Sequence, residues 1–514
     1  MSKTIIIIGA GLAGLSAALQ AAENGCNVKL VSSLPSERAQ SVMAEGGINA
    51  ALNTKDKNDS PEEHFTDTIK AACGLADPNA VWGMTQAAPE LVHWLLKLGV
   101  KFNMSGYDDV DLRNFGGQKK KRTAFAQSDT GKQIMTAMID AVRRKEASGM
   151  VERFSHHSFL TLRLCGNICC GCVIRDEYSQ ETVELPGDAV IVATGGMHGL
   201  FGNTTGSLSN TGEVTAELFR LGVPLANGEM IQYHPTTVKC GGKRMLISEA
   251  ARGEGGRLFA MKDGKQWYFM EEKYPELGNL MPRDITAREI WKVSHESEVF
   301  LDMTEISEEI ISNKLSGLAD DCMTYLHKDI RKEPVSVLPG IHYFMGGILV
   351  DEQHRTPIQN LYAAGECCAQ YHGANRLGGN SLLGALYGGR VAAKSACEQA
   401  DVVDLSCATQ IDFPPASQIS EIKQLNKVMQ ETMGVVRNEN TLLNGIQTVQ
   451  ALTGNLPLLG MAVLKSALAR KESRGAHWRE DYPKSNDDDY LKTTVARFDG
   501  KQIQISFVPV PERR

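Results

Sequence analysis

"TIIIIGAGLAGLSAALQAAENGCNVKLVS", residues 4–32, reads as a strand, a tight turn, a helix and a second strand. Ile5 to Ile8 form the unbroken apolar run that a buried parallel strand requires. Gly9, Gly11 and Gly14 then supply G-x-G-x-x-G where the strand becomes a helix. The first glycine makes the turn, the second lets backbone approach a pyrophosphate, and the third lets helix and strand pack closely. The helix N-terminus is left aimed at the phosphates. The second strand ends in Ser32 and Ser33, not in the acidic residue that grips a ribose, so this unit calls for a dinucleotide without saying which.

Two further stretches extend the pattern. "DAVIVATGGMHGLF" (188–201) is an apolar strand running into Thr194, Gly195 and Gly196, and "NLYAAGECCAQ" (360–370) is another ending at Gly365 and Glu366. Three strand–glycine turns so far apart predict one sheet assembled from distant segments with other material inserted. That is the layout of FAD-binding domains of the two-dinucleotide-fold type. At 514 residues the chain is long enough for two or three domains. Its 54 basic against 61 acidic residues argue against a nucleic-acid or anionic-membrane surface. No apolar run approaches the roughly 20 residues that span a bilayer. The glycine spacing accounts for the apolar N-terminus better than a signal peptide does.

The 12 cysteines form no disulfide framework and suit a reducing cytoplasm. Their dense cluster, "CGNICCGC" (165–172), sits in an alternating stretch that turns at Gly166-Asn167, so the cysteines read as small buried hydrophobes of a hairpin. Cys169, Cys170 and Cys172 lack the C-x2-C spacing of cluster ligands, and no metal site is read.

Polar residues that can do chemistry crowd between the second and third glycine turns. "MIQYHPTTV" places His234. "LISEAARGEGGRL" places Ser248, Glu249, Arg252 and Glu254 around a glycine-rich loop. "LMPRDITAREI" puts Arg283 at a helix start behind Pro282. "LPGIHYFMGGI" places His342, and "YHGANRLGGNSLLGALYGG" places Arg376 before a glycine-rich helix entry with Asn380, Ser381 and Leu382. Arginines and histidines in glycine-rich loops beside a flavin fold describe a site for a small multiply charged anion, since arginine binds carboxylates bidentately.

These stretches carry a resemblance. With "EGGINAAL", "FGGQKKKRTAFAQSDTG" and "SRGAHWREDYP" added, the chain from Gly9 to about Leu491 resembles the flavoprotein subunit of the fumarate reductase / succinate dehydrogenase family. The resemblance implies FAD bound through Gly9, Gly11, Gly14, Ser32, Gln40, Ser41, Gly46, Gly47, Thr194, Gly195, Glu366, Asn380, Ser381 and Leu382. It implies fumarate or succinate clamped by His234, Ser248, His342 and Arg376. Arg283 is then the proton donor, replenished through Glu249 and Arg252. In "SERAQSVMAEGG" (36–47), alignment on Gly46-Gly47 puts Gln40 where many members carry a histidine bonded to the flavin. Glutamine forms no such link, which predicts noncovalent FAD and favours fumarate reduction.

The expected fold is α/β: a discontinuous FAD-binding domain (1–230 and 345–402), an inserted α+β cap (231–344), a helical domain (403–475) and a C-terminal extension (476–514), shorter than in many members. No C-x-x-C-H haem motif occurs, so electrons are expected from an iron–sulfur protein subunit, with or without a quinone-binding membrane anchor. The chain is expected in the cytoplasm or peripherally at its membrane. L-aspartate oxidase, the nearest rival, associates its substrate ammonium with a Glu where "NFGGQK" has Phe115. A reductase of another unsaturated acid shares Arg283 but usually alters the histidines. A non-catalytic electron relay predicts a broken clamp or a lost donor.

Overall fold

The parallel strands Thr4–Ile8, Asn27–Ser32, Val151–Ser155, Ala189–Val192 and Leu361–Ala363 form one sheet although the first and last are separated by most of the chain. The spatial order is Leu361–Ala363, Ala189–Val192, Thr4–Ile8, Asn27–Ser32, Val151–Ser155, with every neighbour parallel. The three expected strand–glycine turns therefore lie side by side at one sheet edge. Ile5, Ile6 and Ile7 are fully buried, each contributing roughly 1.5–3 kcal/mol. Helix Leu12–Glu23 packs against helix Asn380–Gln399, and Ser16 Oγ donates to Leu386 O at 2.7 Å, tying the first segment to the last. The computed structural model describes residues 2–55, 57–106, 109–401, 413 and 418–514; the expected boundary at 402/403 lies outside the described residues.

Strands His157–Cys165 and Ile168–Asp176 pair as the expected antiparallel hairpin, closing at Cys165↔Ile168. Cys169, Cys170 and Cys172 are buried free thiols. Cys165 is disulfide-bonded, which its spacing did not signal. Among the described residues no group of His, Cys, Asp or Glu is placed to hold a metal, and no helix is long and apolar enough to cross a membrane.

The segment after Met230 builds two antiparallel sheets. One contains Ile231–Cys240, Lys243–Leu246 and Leu338–Phe344; the other contains Arg257–Lys262, Lys265–Trp267, Val299–Asp302 and Val335–Ser336. Helix Arg283–Val293 packs on the first sheet, and Ile247, Leu258, Ile290 and Leu301 belong to this region's own core. Helices Ile419–Thr432, Glu439–Val449 and Asn455–Ala469 bury Leu425, Met429, Leu442 and Leu459 against Phe201, Phe219 and Phe344. Their apolar positions recur at helical spacing, as the sequence required. The last strands, Lys492–Phe498 and Ile503–Pro509, join Leu225–Ala226. Arg470 is completely buried and anchors this end: Nε meets Glu229 and Nη1 meets Glu472, both at 2.7 Å. A charge so deep is tolerated because every donor is paired.

Candidate active site

At the glycine edge of the parallel sheet lies a cavity of about 500 Å³. The flavin-domain side of its wall includes Gly9, Gly11, Ser32, Gln40, Ser41, Gly46 and Gly47. Thr194, Gly195, Glu366, Ser381 and Leu382 continue it, and His234, Ser248, Glu249, Arg283, His342 and Arg376 face them. Three expected residues do not line the cavity. Gly14 lies beneath the turn, where a Cβ would collide with the Gly9 carbonyl; Gly9 itself adopts φ +111°, and its Cβ would strike Ala193 O. Asn380 instead ties the helix start to Asn49 (2.8 Å), His64 (2.9 Å) and Thr68 (3.0 Å). Arg252 stands behind Glu249.

The first wall fits a dinucleotide. Helix Leu12–Glu23 starts at Gly11 with no side-chain cap, so its amide end faces the cavity with only Ser41 Oγ, 3.3 Å from Leu12 N, as a protein partner. Ser32 Oγ is buried without a hydrogen-bond partner. Uncapped amides suit phosphate oxygens and an orphaned hydroxyl suits a ribose.

The opposite wall is cationic. His234 comes from strand Ile231–Cys240, which breaks register between His234 and Thr237, where Pro235 cannot donate to the ladder. His342 lies on the paired strand, and the two rings sit 5.2 Å apart. Thr205 Oγ1 meets His342 Nδ1 at 2.8 Å. His234 Nε2 and Arg376 Nε are buried without partners. Arg376 stacks its guanidinium over Tyr343, 4.4 Å from the ring centre.

"SEAARG" differs from the expected loop: Glu249–Gly253 is one helical turn, with the Ser248 hydroxyl accepting from Ala250 N at its start. The turn places Glu249 and Arg252 on one face at i, i+3, so that Arg252 Nη2 lies 3.5 Å from Glu249 Oε1. Glu249 Oε2 accepts from Arg283 Nη2 at 2.6 Å and from Nε at 2.8 Å. Arg283 Nη1 donates to Gln232 Oε1 at 3.1 Å, and Glu249 Oε1 accepts from Gly116 N at 3.1 Å. A continuous line, Arg252–Glu249–Arg283, thus leads to the cavity.

Burial, then Arg283, depresses both His234 and His342 well below the ordinary imidazole value. Burial and Arg283 hold Arg376 down to about 9. Burial raises the Glu249 carboxyl, but Arg283, Arg252 and the Gly116 amide outweigh it and keep it ionised. The histidines are therefore neutral donors at neutral pH. In the buried cluster of Arg252, Glu249, Arg283 and Arg376, guanidiniums outnumber the carboxylate, which suits an anionic ligand.

Sequence reading missed Gln232, Thr205 and Glu45. Gln232 shares a strand face with His234, an available signal. Nothing near Thr205 marked it. Glu45, beside Gly46-Gly47, lines the cavity; burial and then Asp321 push its carboxyl up to about 8.

Known proteins resemble this chain along nearly its whole length. A family model described as FAD binding domain matches residues 4–382, and one described as Fumarate reductase flavoprotein C-term matches 452–513. The succinate dehydrogenase flavoprotein subunit of Bacillus subtilis is 38% identical, over 100% of this chain and 98% of that one. The 8-methylmenaquinol:fumarate reductase flavoprotein subunit of Wolinella succinogenes is 32% identical, over 100% of this chain and 92% of that one. Among solved structures, E. coli quinol fumarate reductase FrdA superposes with a TM-score of 0.90 at 27% identity, covering 99% of this chain and 97% of that one. The chain belongs to the FAD-binding flavoprotein family of succinate dehydrogenases and fumarate reductases.

Proposed function

We propose that this chain interconverts fumarate and succinate and works as a fumarate reductase, with noncovalent FAD. The observation that carries the reading is the pairing of unpartnered donors, His234 Nε2 and Arg376 Nε, with the buried Arg252–Glu249–Arg283 line at the same cavity. His234, His342, Arg376 and Ser248 hold the two carboxylates. A carboxylate at His234 Nε2 requires a hydrogen there; Nδ1 lies 3.3 Å from Thr236 N and 3.1 Å from Thr236 O. Clamping both ends twists one carboxylate out of conjugation and makes the alkene electrophilic. Charge that develops beside the polarised carboxylate is met by fixed cations in a dry site. Bound FAD supplies the hydride in this direction and accepts it in the other. Arg283 gives its proton to the adjacent carbon, and Glu249 and then Arg252 pass a replacement inward.

Gln40 supports noncovalent flavin, because a carboxamide is no nucleophile for the flavin methyl. Loss of that alkyl link lowers the flavin potential, which favours reduction of fumarate. Phe115, 2% exposed and lining the cavity, supports a dicarboxylate without an ammonium group over an amino acid. We assign residues 1–230 and 345–402 to the flavin domain, 231–344 to the cap, 403–475 to the helical domain and 476–514 to the extension. An iron–sulfur subunit is the proposed electron partner, holding the chain peripherally at a cytoplasmic membrane where that partner has an anchor.

Oxidation of reduced viologen by the FAD-loaded chain on adding fumarate, beside succinate-driven dye reduction, tests the reading. Fast fumarate-dependent oxidation with slower succinate oxidation is expected. Turnover of aspartate but not fumarate overturns it.

A further inference from the structure

Thr204 and Thr205 are consecutive residues that each hold a histidine. Thr205 holds His342 of the proposed clamp, and Thr204 Oγ1 meets His198 Nδ1 at 3.1 Å. Thr204 Oγ1 already accepts from Gly206 N at 3.2 Å, so its hydroxyl proton is free to go to His198 Nδ1. With the Glu366 carboxylate on the other side of the ring, this arrangement favours the tautomer whose Nε2 carries the hydrogen. His198 is fully buried, and Nε2 makes no hydrogen bond of its own. It faces Glu366 Oε1 at 3.5 Å, and that same oxygen accepts from Phe344 N at 3.1 Å. The ring cannot turn away. Phe344 packs against it edge-on with centroids 5.0 Å apart, and a Cβ at Gly206 would collide with the imidazole. Glu366 lines the cavity.

We propose that His198 is a positioning residue that orients and partly neutralises the Glu366 carboxylate toward the bound flavin, setting the flavin's reduction potential. This rests on the cavity being the FAD site, but not on fumarate being the substrate. A carboxylate facing the cofactor disfavours its reduced, more negative form. An N–H aimed at that carboxylate from a dry, low-dielectric position weakens the effect far more than it would in water. A histidine buried with an unused donor costs stability, and this one is caged so that its donor can only face Glu366.

The test is the midpoint potential of FAD-loaded protein, with FAD retention measured alongside and no fumarate present. His198→Ala is expected to weaken binding of reduced relative to oxidised FAD about tenfold, lowering the potential by about 30 mV for this two-electron couple. His198→Gln, which keeps an N–H donor, is expected to restore most of it. An unchanged potential in H198A with full flavin content overturns the proposal, as does an H198Q shift equal to that of H198A, which marks packing alone. If H198A does not fold, Thr204→Val carries the test, since it removes the hydroxyl that favours this tautomer. A T204V potential equal to wild type overturns the proposal, and a lower one supports it. A chain that fails to reduce fumarate leaves these outcomes readable, so the two readings fail separately.

Discussion

If Arg283 delivers the proton as proposed, removal of its side chain separates proton delivery from binding. The guanidinium makes two hydrogen bonds to Glu249 Oε2, at 2.6 and 2.8 Å, and one to Gln232 at 3.1 Å. Two costs follow from Arg283→Ala. The first is catalytic: loss of a positioned acid lowers turnover about 10²–10⁴-fold, equivalent to about 3–5 kcal/mol in the barrier. The second is structural, because Glu249, 2% exposed, keeps a buried charge after losing its strongest partner. Breaking a buried pair costs about 3–5 kcal/mol; Arg252 at 3.5 Å and the Gly116 amide at 3.1 Å remain, which puts the cost at the lower end. KM is expected to move little, since His234, His342 and Arg376 still hold the carboxylates. The double variant Arg283→Ala, Glu249→Gln removes the orphaned charge, so thermal stability should recover while activity does not. The assays are fumarate-dependent viologen oxidation, flavin absorbance per chain, and melting of each holoprotein. Turnover within tenfold of wild type in R283A with FAD bound refutes the role. Activity recovered in the double variant refutes it as well, because it shows that only the stranded charge was harmful.

Arg376→Ala should divide the other way, raising KM for fumarate at least tenfold with a smaller loss in kcat; a pure kcat loss would argue against a clamp. Noncovalent FAD predicts no flavin fluorescence in the protein band of a denaturing gel and full release into acid supernatant, and a fluorescent band defeats that reading. Acid stability follows from buried histidines. Burial takes His64 down to about 3 and His354 down to about 4, against 6.5 for an open chain. The unfolded state therefore binds protons that the folded state refuses, stability falls as pH drops below 6.5, and the loss is complete only near pH 3–4. At pH 5 each contributes a loss of about 2 kcal/mol. Melting temperatures of the holoprotein should fall steadily from pH 7 to pH 5, and a flat profile contradicts the argument.

The parts of this molecule that were legible in its sequence are those in which the physics is local. A glycine in the Gly9 turn is dictated by backbone lying within collision distance, so the motif names its own geometry. The helices of the C-terminal region follow from a 3.6-residue apolar period. Charge and hydroxyl partners were not legible, because they are set by segments that meet only after folding. Glu249 is singled out by the family resemblance, but its own glycine-rich stretch does not show that it pairs with Arg283, 34 positions later. Thr205 carries no mark at all until His342, 137 positions away, rests on its hydroxyl. The disulfide at Cys165 was equally silent.

Those hidden pairings decide the chemistry. With His234 and His342 depressed by burial and by Arg283, both rings act in the proposed clamp as neutral donors, and their protonation does not change the charge of the site across the neutral range. In the proposed clamp the positive charge resides in guanidiniums and not in imidazoles, and Glu249 offsets part of it. A site built from two protonated histidines in place of those arginines would bind well only in acid and would lose its charge balance on the alkaline side. In the proposed reaction a buried arginine line keeps the balance while Arg283 gives up and regains a proton. Fumarate affinity should therefore stay nearly constant from pH 6 to pH 8, with pH acting on kcat through the proton line; a KM that rises tenfold over that interval would show that the histidines carry charge after all.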